Sequence, residues 1–244
     1  MVTAITPTGD RPLPLALCER WISRQTRKPD QWIVVDDGHV PAKATRLMEY
    51  VRREPLPSDP KFTLCQNLIA ALPLVKGEHV LILEDDEYYA PGYVEAMTRA
   101  LDGYTLAGIM CSKYYHIPSG KYAMIGNRTH ASLAETGFRR SFLPVFRATL
   151  DGDSYLDLRL WKSPHQGHRH LFLDEQASLY CGIKGLAGRS GIGLGHSTTL
   201  YRDRWTDTDR SVLKRWVPDD WPVYMDIVNG ALTVENYEEY LRWA

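Results

Sequence analysis

The chain has 244 residues, 44% of them hydrophobic and 24% charged, and a formal net charge of −1. This is the mix of a soluble globular protein, long enough to bury a sizeable core in one large domain or in one core with an appended lobe. No apolar run approaches the roughly 18–20 residues that would span a bilayer, which excludes a transmembrane segment.

Residues 2–5 form a short apolar run, read as a strand, that stops at the turn cluster Thr6-Pro7-Thr8-Gly9. Residues 13–26 carry Leu13, Leu17, Trp21 and Ile22 at helical spacing. Residues 31–35 read as a second strand, ending at Asp36-Asp37-Gly38. Residues 41–52 read as a helix, with Ala44, Leu47, Met48 and Val51 on one face. A proline-rich loop over 54–61 follows, then an apolar helix over 64–75 that Pro73 ends early. Residues 79–83 are a third strand, leading into Glu84-Asp85-Asp86-Glu87, and Pro91-Gly92 opens a helix to residue 101.

This alternation predicts an α/β fold with a parallel sheet and right-handed crossovers. Ligands of such sheets bind beyond the carboxyl ends of the strands. All three strands end in polar or acidic groups, so one rim gathers Asp36, Asp37, Asp85 and Asp86. Clustered acids repel one another unless a cation or a sugar's hydroxyls meet them.

The second half is less regular. Residues 104–111 read as a strand, 113–125 as a hairpin around Pro118-Ser119-Gly120, 128–150 as loop and helix, and 151–170 as polar loop. Residues 181–184 and 192–196 read as short strands joined by a glycine-rich turn, and helices fill 207–243, for example over 234–243. The four cysteines, Cys18, Cys65, Cys111 and Cys181, make no zinc-type pair and sit among apolar neighbours, as reduced thiols of a cytoplasmic protein would. Met1 leads straight into the first strand, so no signal peptide is expected.

The net charge divides unevenly. Residues 1–112 carry 12 basic and 15 acidic side chains, 113–204 carry 13 and 7, and 205–244 carry 4 and 8. A basic middle either marks a surface for an anionic partner or is dispersed over a solvated surface.

The strongest chemical signal is Val80-Leu81-Ile82-Leu83-Glu84-Asp85-Asp86, an apolar strand delivering adjacent carboxylates to its exit. Hard cations such as Mg²⁺ and Mn²⁺ are held by one or two carboxylates together with substrate phosphates. Such a cation neutralises charge on a departing diphosphate. The same residues would also serve as a solvated acidic turn before the helix at Pro91.

Three motifs in order are Val2-Thr3-Ala4-Ile5-Thr6-Pro7-Thr8 with Gln25-Thr26, then Trp32-Ile33-Val34-Val35-Asp36-Asp37-Gly38, then Leu81-Ile82-Leu83-Glu84-Asp85-Asp86-Glu87-Tyr88-Tyr89-Ala90-Pro91. Together they resemble the GT-A glycosyltransferases, especially the large inverting family that includes cellulose and chitin synthases. The resemblance covers residues 1–100 and thins beyond 112. It implies a GT-A (nucleotide-diphospho-sugar transferase) fold, a mixed, mostly parallel sheet flanked by helices. Residues 1–112 are then the donor half and 113–244 the acceptor and catalytic-base half of one continuous domain. It also implies a nucleoside-diphosphate sugar as donor and Mn²⁺ or Mg²⁺ as cofactor. By the resemblance, Thr6, Pro7 and Thr8 lie beside the base and ribose, and Asp37 accepts a hydrogen bond from the base with Asp36 nearby. Asp86 coordinates the metal, and Asp85 touches the ribose or the metal. Asp10-Arg11 stands where the family often has Asn-Arg, and Gly9-Asp10 where it often has Tyr-Asn.

An inverting transferase needs a carboxylate to take the acceptor's proton. Asp174 and Glu175 follow an apolar run and offer two, in the reverse of the family's usual Glu-Asp order; the pair would also cap a helix starting near Gln176. His196, after Gly191-Ile192-Gly193-Leu194-Gly195, is a third metal ligand or a structural histidine. Lys184, Arg189 and Arg202 are candidates for the diphosphate. The glycine-rich run over 182–195 is a lid or a tight connector, and it lacks the P-loop pattern. His165, His168 and His170 with Arg169 read as solvated surface or an acceptor-side loop.

Residues 181–196 resemble small bacteriophage glycosyltransferases that modify hydroxymethylated pyrimidines such as 5-hydroxymethylcytosine. Over 113–147, Lys113, Lys121, Arg128, Arg139, Arg140 and Arg147 stand against the single acid Glu135, with Tyr114, Tyr115, Tyr122 and Phe138 interleaved. That pattern suits phosphates and a flipped base in a DNA acceptor. The alternatives are a saccharide or lipid-linked acceptor, a nucleotidyltransferase, and a sugar-nucleotide binding module without catalysis.

Overall fold

The structure, a computed structural model, describes residues 1–151, 155–163, 168–174, 178–189 and 205–243. Strand β1 (Val2–Thr8) is buried along its whole length. Helix α1 (Pro12–Ser23) returns across the sheet, opened by a proline in its first turn, where an N–H would lack a helical partner anyway. Strand β2 (Gln31–Asp36) then lies parallel to β1, with Thr8 opposite Asp36. Strand β3 (Glu49–Arg52) lies parallel to β2. Helix α2 (Leu64–Ala71) leads to β4 (His79–Ile82), parallel to β1 on its other side.

The short β5 (Tyr88–Tyr89) follows, then α3 (Tyr93–Leu101) and β6 (Leu106–Met110). Strands β7 (Ser112–His116) and β8 (Lys121–Ile125) form an antiparallel hairpin. Its turn holds Gly120 at φ +66°, the left-handed region that glycine enters without steric cost. Next come β9 (Thr136–Arg139), α4 (Leu143–Thr149), α5 (Leu156–Lys162), β10 (Arg169–Leu173) and β11 (Tyr180–Lys184). Helices α6 (Ser211–Trp216), α7 (Trp221–Val228) and α8 (Tyr237–Trp243) close the described chain. No described helix is long and apolar enough to cross a membrane.

The main sheet has seven strands in the order β10-β6-β9-β4-β1-β2-β3. Strand β9 runs antiparallel to both neighbours, and the other described pairings in this sheet are parallel. A second sheet has the order β5-β11-β7-β8. Side chains alternate across the main sheet with a period of two. Val2, Ala4, Trp32, Val34 and Leu81 enter one apolar cluster, with α1, α3 and the C-terminal helices. Ile5, Ile33, Val35, Val80 and Ile82 enter the other, with α2, α4 and α5. Both faces are covered, which explains the nearly unbroken apolar runs of β1, β2 and β4.

The strands expected in the first half and the hairpin are present. Three expectations need correction. Residues 41–52 are not a helix: 41–48 are irregular and Glu49–Arg52 is β3. Of the expected apolar face, Ala44 and Leu47 are exposed, while Met48 and Val51 pack against opposite apolar clusters, and pairing with β2 satisfies the backbone of residues 49–52. Residues 151–170 are not loop throughout, because α5 buries Leu156, Leu160 and Trp161 behind intervening polar residues. The span 128–150 also contains β9, whose four residues are too few for a periodic signal. The strand expected over 192–196 lies outside the described residues.

Candidate active site

Because β1, β2 and β4 are parallel and in register, their carboxyl ends meet at one rim. Strand β10 is parallel to β6, which points the same way, so Asp174 leaves the sheet at this rim too. Three strand spacings separate β10 from β4. At about 4.8 Å each, that is roughly 14 Å along the rim between Asp174 and the Asp85-Asp86 turn.

At the β4 exit, Thr8 Oγ1 donates to Asp85 Oδ2 at 2.6 Å. Arg11 Nη1 stands 2.8 Å from Asp85 Oδ1 and 3.1 Å from Asp86 Oδ2. One guanidinium therefore bridges both acids. Burial raises the Asp85 carboxyl above its ordinary range, against the pull of Arg11. The Thr6 hydroxyl is turned into the core, where it accepts from Trp32 Nε1 at 2.9 Å, and Pro7 is buried beside it.

At the β2 exit the two aspartates differ. Asp36 is saturated: it accepts from Gly38 N and Ala42 N at 2.8 Å, from the Tyr50 hydroxyl at 2.7 Å, and from Arg52 Nη1 at 3.2 Å. It shapes the turn. Asp37 accepts from Arg53 Nη2 at 2.6 Å and from Arg189 Nη2. Burial works to raise the Asp37 carboxyl, but hydrogen bonds from Thr63, Arg189 and Asn67 hold it below its usual range. Arg53 is fixed in turn by Asn67 Oδ1 at 2.7 Å and by Asp59.

Arg189 follows β11 and is tied to the rim twice, by its guanidinium on Asp37 and by its carbonyl, which accepts from Arg11 Nε. The approach depends on glycine. A Cβ on Gly9 would stand 2.3 Å from both Arg189 Nη2 and Asp37 Oδ1. Gly188, at φ +114°, would place a Cβ 2.8 Å from the Asp10 carbonyl.

Glu84, Asp86 and Glu87 each offer a carboxylate oxygen, and these lie within 4.8 Å of one another. Glu87 Oε2 accepts from Ile183 N at 2.6 Å, and Oε1 pairs with Lys184 Nζ. Burial, followed by the neighbouring acids, pushes Glu84 up to about 8; burial, against Lys184, leaves Glu87 at about 7. Three crowded carboxylates, two of them buried, are the kind of oxygen donor set that a hard divalent cation accepts, so the residues fit Mg²⁺ or Mn²⁺. Lys184 is buried in this pair and lies over the Tyr114 ring at 5.8 Å; its ammonium is directed at Glu87.

Asp174 Oδ2 accepts from Lys113 Nζ at 2.9 Å and from Leu179 N at 2.7 Å. Glu175, His196 and Arg202 lie outside the described residues. Arg53, Asn67, Lys113, Glu84 and Glu87 join the site without having been expected there. The two glutamates carried a signal as flanks of the acidic turn, and Lys113 only as one of the basic residues of 113–147.

The basic residues of 113–147 do not form one face. Arg139 and Arg140 hydrogen-bond to backbone carbonyls around Lys76, Leu101 and Tyr104, at the amino ends of the strands. Arg147 pairs with Asp151, and Lys113 with Asp174. His170, stacked on Tyr104 at 4.5 Å, and Arg169 also lie at the amino end.

Residues 3–156 match the family described as Glycosyl transferase family 2. Among solved structures, S. aureus TarS 1–349 in complex with UDP-GlcNAc is similar at a TM-score of 0.52 and 11% identity, over 93% of this chain and 65% of that one. S. aureus TarS is similar at a TM-score of 0.50 and 12% identity, over 75% of this chain and 36% of that one. The chain thus spans between a third and two thirds of the length of these structures. At such identities the likeness shows the GT-A fold alone. No curated protein matches the chain.

Proposed function

The chain belongs to glycosyl transferase family 2, and we propose that it transfers a sugar from a nucleoside-diphosphate sugar to an acceptor hydroxyl, with Mn²⁺ or Mg²⁺ and with inversion at the anomeric carbon. What carries the reading is the gathering of Asp37, Asp85, Asp86 and Asp174 at one sheet rim, with cations of the chain already set against them. Pro7, Thr8 and the backbone of Thr6 border the nucleoside, and Asp37 accepts from the base. Asp85, held by Thr8, meets the ribose. Asp86, with Glu84 and Glu87 beside it, would hold the metal, which neutralises charge on the departing diphosphate. Arg11 and Arg189 turn their guanidiniums to the diphosphate oxygens. Lys184 acts through Glu87.

Asp174 is the general base. It takes the acceptor's proton as the acceptor oxygen bonds to the anomeric carbon and the bond from that carbon to the diphosphate breaks. Its place across the rim from the metal acids leaves the transferred sugar between them. Glu175, as the alternative base, and His196, as a third metal ligand, are proposed from the sequence and lie outside the described residues.

A 5-hydroxymethylated pyrimidine in phage DNA is the acceptor implied by the likeness of residues 181–196. Among the described residues, Arg139 and Arg140 lie at the end of the sheet opposite the acids and Arg147 pairs with Asp151, so 113–147 gives no single phosphate-tracking face, which favours a saccharide or lipid-linked hydroxyl. Incubation with a panel of nucleotide sugars and Mn²⁺ tests the core reading. Release of nucleoside diphosphate from one donor, lost in chelator, supports it; release from none of them, with or without metal, refutes it.

A further inference from the structure

We propose that Lys113 is a positioning residue that aims one oxygen of Asp174 at the acceptor, an inference that rests on Asp174 being the general base. Lys113 belongs to β7 in the second sheet, and Asp174 follows β10 at the edge of the first. The pair therefore joins the two sheets at the catalytic rim. The Lys113 side chain is 11% exposed and that of Asp174 3%.

The geometry is one-sided. Both donors go to Oδ2: Lys113 Nζ at 2.9 Å and Leu179 N at 2.7 Å. The same ammonium reaches the Asp174 carbonyl at 3.3 Å and Ser178 Oγ at 3.4 Å. It thus holds both Asp174 and Ser178, four positions on in the chain. Ser178 in turn donates to the Trp216 carbonyl at 2.7 Å, which anchors it to α6. Asp174 Oδ1 is buried and has no hydrogen-bond partner among the described residues.

A buried carboxylate oxygen left unpaired is costly, and a purely structural ion pair would spread its donors over both oxygens. Fixing Oδ2 from two directions stops the carboxylate from rotating and keeps the Oδ1 lone pairs for an incoming hydroxyl. Lysine suits this task because its long stem crosses from one sheet to the other while its three N–H groups divide among Asp174 Oδ2, the Asp174 carbonyl and Ser178.

The test compares Lys113→Met, Lys113→Arg, Asp174→Asn and the double variant Lys113→Met with Asp174→Asn, with melting temperature as a control on folding. Lys113→Met should lower turnover by about 10²-fold with donor KM changed by no more than about twofold, the loss expected of a misplaced catalytic group. Lys113→Arg should restore most of it. In the Asp174→Asn background, Lys113→Met should cost nothing further, because its effect passes through the carboxylate. A double variant slower than Asp174→Asn by the full factor would mean that Lys113 acts elsewhere, and the proposal falls. Normal turnover in Lys113→Met beside a crippled Asp174→Asn would overturn the proposal and leave the base standing. Normal transfer in Asp174→Asn would remove the base and this inference with it. If Lys113→Met does not fold, the neutral double variant and Lys113→Arg still decide, since neither leaves a buried charge unpaired.

Discussion

The Arg11 guanidinium stands 2.8 Å from Asp85, filling with a cation of the chain's own the mouth of the acidic turn. The contact extends to Asp86 at 3.1 Å, so the side chain proposed to hold the metal already shares a positive charge. Donor and metal must therefore displace or reorient Arg11.

Asp86→Ala should abolish Mn²⁺-dependent donor binding and turnover. Arg11→Met should act in opposite directions on the two ligands. It should tighten Mn²⁺ binding in the absence of donor by about tenfold, because a competing charge near a carboxylate is gone, and weaken donor binding by a similar factor. Calorimetric titration of each variant with Mn²⁺ and with nucleoside diphosphate measures both. Unchanged affinities in Arg11→Met would remove the guanidinium from the site.

Gly9→Ala addresses the link from Arg189 to Asp37. The added methyl falls 2.3 Å from atoms of both residues, so the longer Arg189 side chain must withdraw. Nucleotide affinity should drop by about tenfold, the order expected for losing one charge-assisted hydrogen bond. The melting temperature should fall as well, because the same methyl meets Asp37 Oδ1, a buried carboxylate oxygen held by Arg53. Wild-type nucleotide affinity in this variant would separate Arg189 from donor binding.

Glu135 gives a pH prediction away from the chemistry. It is buried, accepts from Ser112 Oγ and from Ser132 Oγ at 2.7 Å, and burial pushes its carboxyl up to about 8 from 4.5. Below about 4.5 the folded and unfolded chains both carry the proton. Between that value and about 8 the unfolded chain releases it while the folded chain retains it. Stability should therefore fall as pH rises through this window and level off above it, with a slope of up to about 1.4 kcal/mol per pH unit from this one proton. Glu135→Gln should flatten that part of the curve in urea unfolding measured from pH 5 to 9. An unaltered slope would show that Glu135 ionises freely in the fold.

The acceptor is decided by offering radiolabelled nucleotide sugars with hydroxymethylcytosine duplexes, unmodified duplexes, oligosaccharides and lipid-linked saccharides. With the basic residues dispersed, label should enter a saccharide or lipid-linked hydroxyl, and added salt should have little effect on the rate. Label entering only the hydroxymethylated duplex, with transfer falling steeply as salt rises, would restore the DNA acceptor.

The sequence by itself determined the first strands of the sheet and the acids at its rim. Those features are local: apolar runs mark β1, β2 and β4, and the residues just after each run must emerge at its end, so Asp36, Asp37, Asp85 and Asp86 were legible together. Asp174 was legible only as an acid after the apolar run 171–173; that this run is a strand ending at the same rim followed from its pairing with β6. Tertiary structure alone decided what each acid meets. Asp36 is spent on its own turn, Asp37 is held by Arg53 and Arg189, Lys184 is drawn inward by Glu87, and Lys113 is bound to Asp174. These pairs join residues as far as 152 positions apart, and no periodicity or motif encodes which side chains the crossovers bring together. The same cause removed the helix expected over 41–52, where a neighbouring strand edge outweighed local spacing. It also scattered the basic residues of 113–147, because antiparallel β9 carries Arg139 to the end of the sheet opposite the acids.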